Sequence, residues 1–65
     1  MIEIVEIQNG YYYLLNGVWH RPNYPAFVTN SYTSWYLFND KHRYYGPAAI
    51  WEQMNEWYIR GRRLK

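Results

Sequence analysis

The sequence predicts an all-β protein: a single twisted antiparallel meander sheet built from 22-residue β-hairpin repeats. Three observations predict it. First, positions 13–26 (YLLNGVWHRPNYPA) return as positions 35–48 (WYLFNDKHRYYGPA), with Tyr13/Trp35, Leu15/Leu37, His20/His42, Arg21/Arg43, Pro25/Pro47 and Ala26/Ala48 in register. A truncated copy follows at 57–65 (WYIRGRRLK), where Trp57, Tyr58 and Ile59 fall on Trp35, Tyr36 and Leu37, and Lys65 on Arg43. A period of this length marks a supersecondary unit that cannot bury its own face and leans on its neighbours. Second, side chains alternate with period two, as strands require: Tyr13 and Leu15, Trp35 and Leu37, and Trp57 and Ile59 flank Leu14, Tyr36 and Tyr58. Third, turn dipeptides punctuate the alternating runs.

The elements follow in order. A first strand over 2–8 carries Glu3 and Glu6 and ends at Asn9-Gly10. Strands over 11–15 and 18–21 flank Asn16-Gly17, a strong short-hairpin signal. Asn39-Asp40 and Arg60-Gly61 take the corresponding place later, and Asn30-Ser31 suits a hairpin tip. Further strands are predicted over 26–29, 32–38, 41–43, 48–51 and 56–60, with a short edge at 62–64. Segments 22–25 and 44–47 are inter-hairpin turns. Proline donates no ladder bond, so Pro25 and Pro47 mark strand starts. Ala26 and Ala48 follow them, small enough for a ring to lie across the backbone. Residues 48–60 also accommodate a helix, with Ile50, Met54, Trp57 and Tyr58 as its stripe and Pro47 in its first turn. The repeat favours strand, because the aligned 26–38 holds Val28, Thr29, Tyr32 and Thr33 and no helical stripe. The whole chain reads as one domain, with copies near 2–26, 27–48 and 49–65.

Composition narrows the function. A chain of 65 residues buries only about 60% of its unfolded surface. Without cysteine it has no disulfide or thiolate metal site, which fits a reducing compartment. No apolar run approaches the roughly 18 residues of a membrane span. Met1 is followed by Glu3 and Glu6 without a basic leader, so the expected location is a cytoplasm, that of an infected host if the chain is viral. Aromatic residues make up 23% of the chain, so burial comes from rings rather than from a deep core. The net charge of +2 is too small to imply nucleic acid, but it is uneven: Arg60, Arg62, Arg63 and Lys65 crowd one end, opposite an acidic first strand.

The repeat WYLFNDKHRYYGPA, with its degenerate copies, resembles a pattern of phage, giant-virus and bacterial proteins, roughly W-Y-x-N-G-x-x-H-R-x-x-G-P-A. It is similar to MORN-type repeats, which stack β-hairpins into an elongated antiparallel sheet. The resemblance covers about positions 11–65, with the HR…PA pair twice in register. Tyr24 replaces the repeat glycine found as Gly46, Phe38-Asn39 replaces Asn-Gly, and Leu64 replaces the histidine of the third copy. The resemblance implies a binding scaffold with no catalytic residue, and in so short a chain an inhibitor of a host protein, such as a CRISPR effector or a defence nuclease.

Candidate residues fall into two sets. Tyr13, Trp35, Trp57, His20, His42 and Arg21 recur with the repeat and are assigned to structure. Two histidines without a third ligand do not make a zinc site, so neither metal nor cofactor is expected. With no nucleophile signature, paired-carboxylate motif or phosphate loop, no enzyme is expected either. Tyr36, Tyr58, Tyr44, Tyr45, Arg43, Arg60, Arg62 and Arg63 form the partner-binding set, because exposed Tyr beside Arg is typical of interface hot spots. The expected partner is another protein, with a homo-oligomer covering one aromatic face. The alternative is a nucleotide or single-stranded nucleic acid held by Arg21, Arg43 and stacked Tyr.

Overall fold

In the computed structural model, which describes residues 1–64, every regular element is a β-strand. The strands are β1 (Ile2–Ile7), β2 (Gly10–Leu15), β3 (Val18–Trp19), β4 (Phe27–Thr29), β5 (Tyr32–Ser34), β6 (Tyr36–Leu37), β7 (Asp40–Lys41), β8 (Ala49–Trp51), β9 (Asn55–Glu56), β10 (Tyr58–Ile59) and β11 (Arg62–Arg63). An open antiparallel meander runs β1-β2-β4-β5-β8-β9, with β3 folded back on the end of β2. The hairpins β6-β7 and β10-β11 form their own two-stranded ladders. The helix considered for 48–60 is not formed; that segment supplies β8, β9 and β10.

Two rows of hairpins result. The long row carries the meander, and the short row holds the Leu14↔Trp19, Tyr36↔Lys41 and Tyr58↔Arg63 pairings, each displaced by 22 residues from the last. The strand expected over 32–38 is therefore divided at Trp35, and the one expected over 56–60 at Trp57. The cause is a change of partner. The Trp35 amide donates to the Ala48 carbonyl at 2.8 Å, while its carbonyl accepts from the His42 amide at 3.0 Å. In the first copy β2 continues through Tyr13, because β1 pairs along its full length.

Two turns lie one residue before their expected places. The β1-β2 turn is Gln8-Asn9, since Ile7 pairs with Gly10. The β6-β7 turn is Phe38-Asn39, with φ of 47° and 70°, rather than Asn39-Asp40. Asn16-Gly17 (49°, 85°) and Arg60-Gly61 (49°, 82°) adopt the same left-handed pair, as a two-residue hairpin demands. The Asn39 side chain secures the Phe38 turn by accepting from the Trp19 amide at 2.7 Å.

Directly paired residues share a sheet face. One face gathers Tyr12, Trp19, Phe27, Tyr32, Tyr36 and Trp51 into a chain of ring contacts from 4.0 to 6.0 Å between centroids. Such pairs add about 0.5–1.5 kcal/mol each beyond the area they bury. Glu56 closes this face as a buried carboxylate, facing Lys41 Nζ at 3.9 Å and Arg63 Nη1 at 3.5 Å and accepting from Trp51 Nε1 at 3.5 Å. Ala26, Ser34, Ala48 and Ala49 are fully buried where the rows meet. Larger side chains there have nowhere to go.

This arrangement corrects the placement of Tyr36. It was assigned to a partner-binding surface, but it is 8% exposed and packs edge-on against Trp19 at 4.9 Å. The phenol face of the sheet is the packed one. Burial, reinforced by the neighbouring Tyr32 phenol, pushes the Tyr36 hydroxyl up to about 12. Its unfolded value is near 10, so the folded state holds the proton longer. The contribution of this group is full below about pH 10 and is lost as pH rises through about 12, at most about 2 kcal/mol. Alkaline denaturation followed by circular dichroism should show this loss, and Tyr36→Phe should remove it.

At Gly10 the β2 backbone passes so close to β4 that a Cβ would overlap the Val28 carbonyl oxygen and lie 2.9 Å from Thr29 Cα. Gly17 also needs a left-handed φ, of 85°, but faces open space. Urea melts should therefore show Gly10→Ala losing at least about 2 kcal/mol by overpacking. Gly17→Ala should lose about 1 kcal/mol from its strained backbone alone.

Candidate functional site

Each inter-hairpin loop is built around its arginine. The Arg21 guanidinium lies 3.8 Å over the Tyr13 ring and 4.9 Å from that of Tyr24, and its Nη1 donates to the Pro25 carbonyl at 3.3 Å. The Arg43 guanidinium lies 3.8 Å over the Trp35 ring, and its Nη1 donates to the Pro47 carbonyl at 3.1 Å. The sequence dictates this spacing: a ring, then Arg eight residues on across a hairpin, then Pro four beyond, twice. Cation–π stacking contributes about 0.5–1 kcal/mol at exposed sites and more where water is excluded.

The preceding histidine points the other way, along the repeat axis. His20 Nδ1 accepts from the Phe38 amide at 3.0 Å, and His42 Nδ1 accepts from the Arg60 amide at 2.9 Å. Each imidazole thus fixes the tip of the next hairpin. Backbone bonds accompany it: the Arg21 amide donates to the Tyr36 carbonyl at 3.1 Å, and the Arg43 amide to the Tyr58 carbonyl at 3.2 Å. An imidazole accepting at Nδ1 carries its proton on Nε2 when neutral. In His42 that Nε2 is buried and has no hydrogen-bond partner among the described residues. The Tyr44 ring stands edge-on to the imidazole, 4.5 Å between centroids.

Between the two loops lies a cleft of about 330 Å³. Arg21, Pro22 and Asn23 form one bank, and Arg43, Tyr44 and Tyr45 the other. Trp35, Leu37 and His42 line the rest. Among the described residues no carboxylate lines it, so its two formal charges are both positive. Tyr24, Tyr44 and Tyr45 project from the banks at 61%, 66% and 93% exposure.

The structure thus divides the predicted binding set. Arg43, Tyr44 and Tyr45 come together at the cleft. Arg60, Arg62 and Arg63 are exposed and lie outside it, and Arg63 already faces Glu56. Tyr58 is half-buried, with Lys41 Nζ 4.8 Å from its ring, and Tyr36 is buried. Lys65, counted with the basic end, lies outside the described residues. The sequence gives Trp35 a structural role alone, and Arg21 a structural role beside the alternative one of holding a nucleotide with Arg43; both residues line the cleft. Their recurrence 22 residues apart beside a loop tyrosine was the signal for it.

Among the described residues there is no group of three or more His, Cys, Asp or Glu placed to hold a metal ion, and no helix long and apolar enough to cross a membrane. No protein family, curated protein or solved structure matches this chain.

Proposed function

We propose that this chain is a non-enzymatic binding protein that recognises another protein with the loop edge carrying Tyr24, Tyr44 and Tyr45. The observation behind this reading is the pairing of exposed rings with a rigid base. All three tyrosines are more than half exposed, while the loops beneath them are pinned by stacked, hydrogen-bonded arginines. Tyr and Arg on a pre-ordered surface are the usual content of interface hot spots, because little side-chain freedom remains to be lost on binding. Half-exposed rings on one edge of a thin slab, 31 × 23 × 15 Å, suit occlusion of a partner's surface.

The MORN-like character belongs to the same proposal. It rests on the recurrent HR…PA motif and on hairpins that repeat their hydrogen bonds at an offset of 22 residues. From that resemblance and the small size we infer a phage-type inhibitor of a host defence protein, working in the host cytoplasm. The exposed Ile2 and Ile4 of the edge strand β1, at 69% and 56%, supply apolar surface for a homo-oligomer.

The test is affinity purification from host lysate with identification of the captured protein, then binding measured with both proteins purified. Tyr44→Ala with Tyr45→Ala should weaken the complex at least roughly tenfold. Tyr45→Ala alone should leave the melting temperature unchanged, since that ring is 93% exposed, whereas Tyr44→Ala also gives up an edge-on contact with His42. Undiminished binding to a confirmed partner would show that the loop edge is not the interface.

A further inference from the structure

We infer that the cleft between the two inter-hairpin loops is a binding site for a nucleoside monophosphate, with Arg21 and Arg43 on the phosphate and the Tyr45 ring on the base. This goes beyond the protein-binding reading and stands or falls separately from it.

The cleft presents two guanidiniums and, among the described residues, no acid. A phosphate monoester carries about −1.5 to −2 charge near neutral pH, which matches two cations, whereas a carboxylate matches one. Its three oxygens also accept more of the available donors than the two oxygens of a carboxylate. A guanidinium has five N–H donors, and each arginine gives one to the proline carbonyl of its own loop. Because stacking on Tyr13 and Trp35 already fixes both forks, little freedom is left to lose when a phosphate arrives.

His42 adds an unmet donor. His42 is 6% exposed, its Nδ1 is occupied by the Arg60 amide, and its Nε2 has no partner among the described residues. A buried donor left unpaired is unfavourable, and an incoming acceptor relieves it. His42 lines the cleft, and the Tyr44 ring, 66% exposed, stands edge-on to its imidazole. A ligand that accepts hydrogen bonds therefore gains a third donor on the floor of the cleft.

The cleft volume of about 330 Å³ lies at the lower end of small-ligand sites and holds one nucleotide rather than a strand. The Tyr45 ring is 93% exposed and 6.4 Å from Tyr44, so a face is open for a base to stack upon.

The test titrates the full chain at low salt with AMP, GMP, CMP and UMP, with the four nucleosides, and with inorganic phosphate, following tryptophan fluorescence and calorimetry. At least one monophosphate should saturate with a Kd below about 1 mM, and its nucleoside and inorganic phosphate should each bind roughly tenfold more weakly. Arg43→Gln and Tyr45→Ala should each weaken that binding roughly tenfold. Tyr45→Ala should melt like the parent and so decides the matter if Arg43→Gln does not fold. The proposal is overturned if no monophosphate saturates, if inorganic phosphate binds as tightly, or if binding ignores both substitutions. A thymidine oligomer that binds more tightly than any monomer and survives Tyr45→Ala would also overturn it, by placing the interaction elsewhere.

Discussion

The imidazole of one hairpin holding the turn amide of the next is the contact on which the rest of the structure depends. A lone two-stranded hairpin is marginal in water. The ladders β6-β7 and β10-β11 are two residue pairs long, shorter than any hairpin expected to persist alone. His20 and His42 secure their tips through the Phe38 and Arg60 amides. The same turns are bound again by the Asn39 amide to the Trp19 carbonyl at 2.7 Å and the Gly61 amide to the Lys41 carbonyl at 2.8 Å. The two later tips of the short row are therefore fastened from behind, and the left-handed residues Phe38 and Arg60 there have their amides hydrogen-bonded.

Rings take the part that a deep core plays in larger domains. The fully buried side chains are small, Ala26, Ser34, Ala48 and Ala49, and they sit at the crossings between rows. Apolar burial comes instead from the ribbon of Tyr12, Trp19, Phe27, Tyr32 and Tyr36, which the 43% exposed Trp51 caps at its edge. The opposite side is covered in another way, with guanidiniums laid over Tyr13 and Trp35. The same two arginines shape the loops and line the cleft, so the scaffold and the candidate site share their parts. A site of this kind is rigid without a large domain behind it.

The period of 22 residues and the turn dipeptides made the all-β class and most strand positions legible. The alternation also placed Tyr36 and Trp35 on opposite faces, as they are. What it could not say was which face is packed. Tyr and Trp are both amphipathic, so pattern alone treats the Tyr36 side and the Trp35 side alike. The difference comes from Trp19 and Phe27, which fall on the Tyr36 side only through the pairings Leu14↔Trp19 and Tyr12↔Phe27. The turn at Phe38-Asn39 was read one residue late because propensity favours Asn-Asp over Phe in a left-handed position. The His20 imidazole and the Asn39 side chain reverse that preference by tertiary hydrogen bonds. The cleft is half legible: Arg21, Arg43 and the loop tyrosines are marked by Arg standing beside Tyr in each inter-hairpin turn, whereas Trp35 and His42 join it only through the two successive loops lying side by side.

Native-state hydrogen exchange at the Phe38 and Arg60 amides tests the coupling of hairpins most directly. If each imidazole binds the following turn into one cooperative unit, both amides exchange only through global unfolding, with equal free energies that match the denaturant value. Exchange of the Arg60 amide at close to the unprotected rate, while Phe38 and the β1-β2 ladder stay protected, would contradict the account, because the last hairpin would then be opening on its own.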